Sequence, residues 1–161
     1  MAKIERKYLA HFINAAAVGA AAPVYERLGK DLEEFSPELS AQVDKKKNIL
    51  GETSVVISSY EKSGEVAPYY AESGTPLFER LQAIIDGDLV LDALKTDVVE
   101  VKLWEQEDQD AYPAIREEAY IEISSYGGDT TGYQIPFTLH FTGAKKKGAF
   151  RLSDRTFTEN A

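Results

Sequence analysis

The chain has no cysteine. That alone excludes disulfides, thiolate nucleophiles and cysteine-bound zinc, and leaves the redox compartment undetermined. Histidine is scarce: His11 and His140 are the only two, too few for most metal or acid–base constellations. No long hydrophobic run is present. The alanine-rich stretch 15–22 falls short of the roughly 20 apolar residues that a membrane helix needs, and it lacks the basic leader of a signal peptide. Basic charge is in deficit, with 18 Lys and Arg against 27 Asp and Glu, a net charge of −9. Such a chain repels polyanions on average, which argues against ordinary nucleic-acid binding by counterion release. Catalytic fingerprints are missing as well: no G-x-S-x-G, H-E-x-x-H, P-loop or dinucleotide motif occurs. Gly127-Gly128 precedes a strand pattern, whereas a phosphate loop needs a helix N-terminus behind it. The adjacent carboxylates Glu33/Glu34 and Glu117/Glu118 point to opposite sides of an extended chain, so they do not converge as a glycosidase pair would. No catalytic residue, metal site or cofactor is expected.

What the chain does have is alternation. At 161 residues it is expected to form one domain, large enough to bury roughly two-thirds of its unfolded surface without a metal or disulfide. Tyr133, Ile135, Phe137, Leu139 and Phe141 alternate with Gln134, Pro136, Thr138, His140 and Thr142, the period of a strand with one buried face. Ala119, Ile121 and Ile123 alternate with Glu118, Glu122 and Ser124. Between them, Tyr126, Gly127, Gly128, Asp129 and Gly132 form a turn, with glycines permitting positive φ and a carboxylate able to close it.

Further strands are expected at 7–14, in the 31–43 region, at 53–60 and at 99–103. The first is apolar on both sides, and His11 there reads as a structural histidine. The alanine-rich run after it reads as a loop packed against something, either its own chain or a neighbouring subunit. Lys45-Lys46-Lys47 reads as a solvated turn, with contact to a neighbour's acidic patch as the alternative. Residues 144–148 read as a second basic turn. Glu105–Asp110 reads as an acidic hairpin tip rather than a calcium loop, because it lacks the central Gly of an EF-hand. One helix is expected over 75–86. Thr75 can cap it, Pro76 suits its first position, and Gly87 fits a left-handed stop. Leu77, Phe78, Leu81, Ile84 and Ile85 make a single apolar stripe. The expected core comprises Leu39, Ala41, Val43, Val55, Leu81, Ile85, Val101, Ile121, Ile135, Phe137 and Leu139. The fold class is mainly β (α+β), a two-sheet antiparallel β-sandwich or barrel with one flanking helix. Residues 1–6 and 154–161 read as flexible arms.

Three stretches carry a family resemblance. The segment S-Y-G-G-D-T-x-G-x-Q-I-P-F at 125–137, the K-K-N-I-L-G-E-T run at 46–53, and K-G-x-F followed by T-F-T at 147–158 resemble major tail tube proteins of long-tailed phages and prophages of Gram-positive bacteria. With Pro68-Tyr69-Tyr70-Ala71, the resemblance spans roughly residues 28–158. It implies hexameric rings that stack into a tube, a conduit for DNA that passes without specific binding. It also implies partners such as the tape measure and tail terminator proteins, a place in the virion tail after assembly in the host cytoplasm, no membrane, and no enzymatic activity. The polar strand faces are then candidates for the lumen: Glu38, Ser40, Gln42, Asp44, Glu118, Glu122, Gln134, Thr138 and His140. Two other classes stay open at this point. A tailocin or secretion-type injection system would share the architecture. A monomeric β-sandwich binding module would expose a row of aromatics, whereas the nine tyrosines here are scattered.

Overall fold

The computed structural model describes residues 1–106 and 109–160. In chain order the elements are β1 (Leu9–Asn14), β2 (Tyr25–Leu28), β3 (Ala41–Lys47), β4 (Thr53–Tyr60), β5 (Ser63–Val66), α1 (Pro76–Gly87), β6 (Lys95–Lys102), β7 (Ala111–Ile123), β8 (Gly127–Asp129), β9 (Gly132–Gln134), β10 (Phe137–Arg151) and β11 (Thr156–Glu159). Seven strands form one antiparallel sheet in the order β11-β10-β7-β6-β1-β2, with β5 on the first part of β10. The pairs β3–β4 and β8–β9 are separate hairpins.

The expected sandwich or barrel is therefore one sheet curled on itself. Strands β7 and β6 lie between β10 and β1 in the order, yet Phe150 of β10 meets Phe12 of β1 at 4.5 Å between ring centroids. Arg155 just before β11 donates to the Tyr25 carbonyl of β2 at 3.2 Å, drawing the two edges toward each other. One core fills the curl: Ala10, Phe12, Tyr25, Val99, Val101, Ala114 and Phe150. The second lies on the other face, under α1 and the β5 segment, and includes Ile13, Val66, Leu77, Leu81, Ile121, Ile135, Phe137 and Leu139. Strand β1 serves both, which is why its sequence is apolar on both sides.

Helix α1 buries Leu77, Leu81 and Ile84, the stripe its spacing dictates. Its ends differ from expectation. The Thr75 hydroxyl donates to the Glu72 carbonyl instead of capping the helix, and the left-handed residue is Asp88, with Gly87 still helical. Strand β9 and strand β10 are also not continuous. Pro136 has no N–H for a ladder, and the chain breaks there.

Four members of the expected core are exposed: Leu39, Ala41, Val43 and Val55. They lie on or beside the β3–β4 hairpin, which stands off the sheet, so their apolar side has no partner within the chain. Lys45-Lys46-Lys47 is part of β3 and not a turn. The basic turn expected at 144–148 is likewise strand: a bulge between Phe141 and Lys145 absorbs the irregularity, and β10 resumes its pairing with β7. The expected C-terminal arm is largely taken up by β11, which pairs with residues 148–151. Gly148 makes this possible, because a Cβ there would overlap the Thr158 carbonyl. Glu107 and Asp108 of the acidic segment lie outside the described residues.

Phe137 is 0% exposed and meets Tyr69 edge-on at 5.7 Å. Phe137→Ala should lower stability by about 3–5 kcal/mol through lost transfer energy and the cavity left behind. Urea unfolding followed by circular dichroism would show this, and an unchanged midpoint would contradict it.

Candidate functional site

Two surfaces stand out, and neither is a catalytic pocket. The first is the β3–β4 hairpin, exposed along every residue of both strands. Its register pairs Val43 with Ile57, Lys45 with Val55 and Lys47 with Thr53, while Asp44 pairs with Val56 and Lys46 with Ser54. Directly paired residues share a face. One face is thus apolar with two lysines at its outer end, and the other is mostly polar. The tip is rigid. Asn48 accepts from the Leu50 and Glu52 amides at 2.9 and 3.0 Å, and its own amide donates to the Glu52 carbonyl. This turn holds Ile49 (103% exposed) and Leu50 (77%) out in solvent.

The second surface is the polar half of one sheet face. Along β7, residues 117, 119 and 121 point into the core under α1, so Glu118, Tyr120 and Glu122 point the other way. Thr138 lies opposite Glu122 and His140 opposite Tyr120, which puts all of them on that face. His140 Nε2 and Glu122 Oε2 are 2.6 Å apart. On β6, Lys95 lies opposite Tyr120 and Asp97 opposite Glu118, and Lys95 Nζ approaches Glu118 Oε2 at 3.3 Å. That hydrogen bond and charge raise the Lys95 pKa above its ordinary value. Arg116 and Lys146, a directly paired couple, complete the face. At its buried border Tyr25 donates to Asp97 at 2.5 Å; burial, and then this bond, push the phenol far above its usual range.

The structure thus brings together Glu118, Glu122, Thr138 and His140. It does not bring in the other candidates. Glu38 bridges Ser63, Ser40 sits in the approach to β3 with φ of 43°, Gln42 and Asp44 belong to the standing hairpin, and Gln134 lies in β9. Lys95, Asp97 and Arg116 escaped the sequence reading. Strand β6 starts four residues before Val99, and its first turn of alternation carries no apolar signal. The face therefore mixes charges and is not purely anionic.

The motif turn is structural. Asp129 accepts from the Thr131 amide at 2.9 Å and from its hydroxyl, bonds that hold its carboxyl below the usual range. Gly128 has φ of 102°, and a Cβ there would overlap the Gly132 carbonyl. Gly127 and Gly132 also have positive φ, and Tyr126 is exposed. Beyond the turn, Tyr133 donates to Gln82 of α1 at 2.6 Å and packs edge-on against Phe78. The turn pins the helix to the sheet.

His11 is buried and bonded to Glu100 at 3.2 Å. The hydrogen bond from His11 outweighs burial and holds the Glu100 carboxyl below its ordinary value of 4.5. A depressed carboxylate stabilises the fold above its unfolded pKa and loses that contribution as pH falls through the folded value. Glu100→Gln should therefore flatten the loss of stability below about pH 4.5. Denaturant midpoints at stepped pH would test it; parallel curves for the variant and the parent would rule it out.

Among the described residues no group of three or more His, Asp or Glu side chains is placed to hold a metal ion, and no helix is long and apolar enough to cross a membrane. The sequence matches no family model and no curated protein. The fold does have a solved counterpart. A structure of the SPP1 tail tube, from solid-state NMR and cryo-EM, aligns with 90% of this chain and 78% of that chain at a TM-score of 0.57 and 16% identity. At that identity the likeness establishes a shared fold: this chain has the tail tube fold.

Proposed function

We propose that the chain is a structural subunit of a phage or prophage tail tube. Its copies assemble into hexameric rings, and the rings stack into the conduit for DNA ejection. The observation that carries this reading is the β3–β4 hairpin. A two-stranded hairpin is marginal in water, and this one leaves Val43, Val55, Ile57 and Tyr60 uncovered. An edge of this kind needs covering, and in an assembly a second copy supplies the cover. The shared fold with the SPP1 tail tube supports the same reading.

In this arrangement the polar face of β6, β7 and β10 lines the channel. Its charges are of both signs, and Glu118 and Glu122 sit in short pairs with Lys95 and His140, so DNA passes without being held. The subunit has no catalytic role and no cofactor. It works beside tape measure and tail terminator proteins in the virion tail, after assembly in the host cytoplasm.

Sedimentation velocity with electron microscopy over a concentration series tests the proposal. Rings or hollow tubes are expected as concentration rises. A chain that stays monomeric throughout would overturn it.

A further inference from the structure

The rigid apolar tip of the hairpin has a complementary surface on the same chain. Between the alanine-rich loop and α1 runs a mainly apolar groove of about 460 Å³, lined by Ala17, Val18, Ala83, Ile84 and Leu89 among others. It is preformed. The buried Arg80 guanidinium spans from helix to loop, donating to the carbonyls of Asn14 at 3.1 Å, Ala16 at 2.9 Å and Lys95 at 2.5 Å. Exposed Val24, Val90 and Leu91 extend the apolar surface around it. Alanines keep the groove wide, because larger side chains at 17 and 83 would fill it.

Charge favours the same partner. Glu79, Asp86, Asp88 and Asp92 lie on α1 and the turn after it, and the one cation there, Arg80, is committed to carbonyls. Lys45, Lys46 and Lys47 stand just behind the tip. Among the described residues, none of these three lysines and none of those four acids has an ion-pair partner.

Resting on the tail tube reading, we propose that Ile49 and Leu50 of one copy seat in the groove between the alanine-rich loop and α1 of a second copy, with Lys45 and Lys47, which share one face of β3, against the acidic residues of α1 and the turn after it. Knob and groove are different patches on one chain. The contact is heterologous, so it propagates from copy to copy and does not stop at a dimer.

The absence of cysteine allows a direct test. Leu50→Cys and Ala83→Cys are made as separate chains, one carrying a mass tag, then mixed and oxidised. Disulfide-linked pairs containing one chain of each kind should form at least tenfold in excess over a control mixture of Leu50→Cys with Ser36→Cys, an exposed site away from the groove. In parallel, Leu50→Asp should abolish assembly with an unchanged monomer melting curve, since the side chain touches no core. If the parent assembles but the mixed pair is no more abundant than the control, or Leu50→Asp assembles normally, this docking falls and the tail tube reading stands. If the parent never assembles and no mixed pair forms, both fall.

Discussion

A chain in which residues 41–60 are replaced by a two-residue Asn-Gly turn should fold, stay monomeric and form no tubes. The excision is physically mild for the domain. Glu61 N–H donates to the Ser40 carbonyl at 3.3 Å, so the two ends already lie side by side, and Asn-Gly is the favoured two-residue link between antiparallel segments. Neither core loses a residue, because β3 and β4 contribute nothing to either. The removed surface, by contrast, includes Val43, Val55, Val56, Ile57 and the Ile49-Leu50 tip, the largest exposed apolar group on one element. Burial of such surface between copies at about 25 cal/mol per Å² is the kind of driving force assembly needs. The melting temperature should stay within a few degrees of the parent while sedimentation shows monomer at concentrations where the parent assembles. Tubes from the shortened chain would mean that the hairpin is ornamental and that another surface joins the copies.

The hairpin also shows what the sequence could and could not say. Alternation through Leu39, Ala41 and Val43 and the Val- and Ile-rich run at 53–60 pointed to two strands and an apolar face, although the first strand runs over Ala41–Lys47 and not through the 31–43 region. It could not mark where that face is buried, because a period of two looks the same whether the covering surface belongs to the same chain or to another. Val43 at 48% exposed and Val55 at 57% are the consequence. The stretch at 144–148 failed for a different reason. Three lysines in a row read as solvated turn, and they are solvated, but on a strand whose ladder is set by β7 on one side. Thr156–Glu159 gave too short a signal: one aromatic, Phe157, packs inward, and the rest of the pairing rests on Gly148 allowing close approach. The helix was legible because its stripe and its proline agree with each other.

The candidate channel face was half legible. Glu118 and Glu122 on β7 and Thr138 and His140 on β10 are separated only by the short β8–β9 hairpin, so local alternation was enough to put them together. Lys95 and Asp97 required knowing that β6 pairs with β7 in a register that sets Asp97 opposite Glu118, whereas Arg116 follows from carrying the alternation of β7 two residues back from Glu118. Pairing between strands is a tertiary fact, and no run of side chains announces it.

Those pairings shape the last expectation. Glu118→Lys with Glu122→Lys should convert a passive channel into one that grips DNA. The parent face balances Lys95, Arg116 and Lys146 against Asp97, Glu118 and Glu122. After reversal these six positions carry five cations against one anion in every subunit, with Glu159 beside Lys146 as a further acid. The fold should tolerate this, because the lost contacts to Lys95 and His140 are partly exposed pairs worth about 0–1 kcal/mol each. Assembly should persist as well, since neither residue lies on the hairpin or beside α1. DNA inside the tube then meets cations repeated at every subunit, and each phosphate neutralised releases counterions. Binding should tighten and its salt dependence steepen by roughly 0.9 in log–log slope per added phosphate contact. In phage, ejection should slow and infectivity fall, with partial rescue at higher ionic strength. Salt rescue separates the electrostatic cause from a misassembled tube, which added salt would not repair. Normal ejection from reversed tubes would place this face on the outside of the tube. The lumen would then have to be sought among surfaces that the pairing of β6, β7 and β10 does not reach.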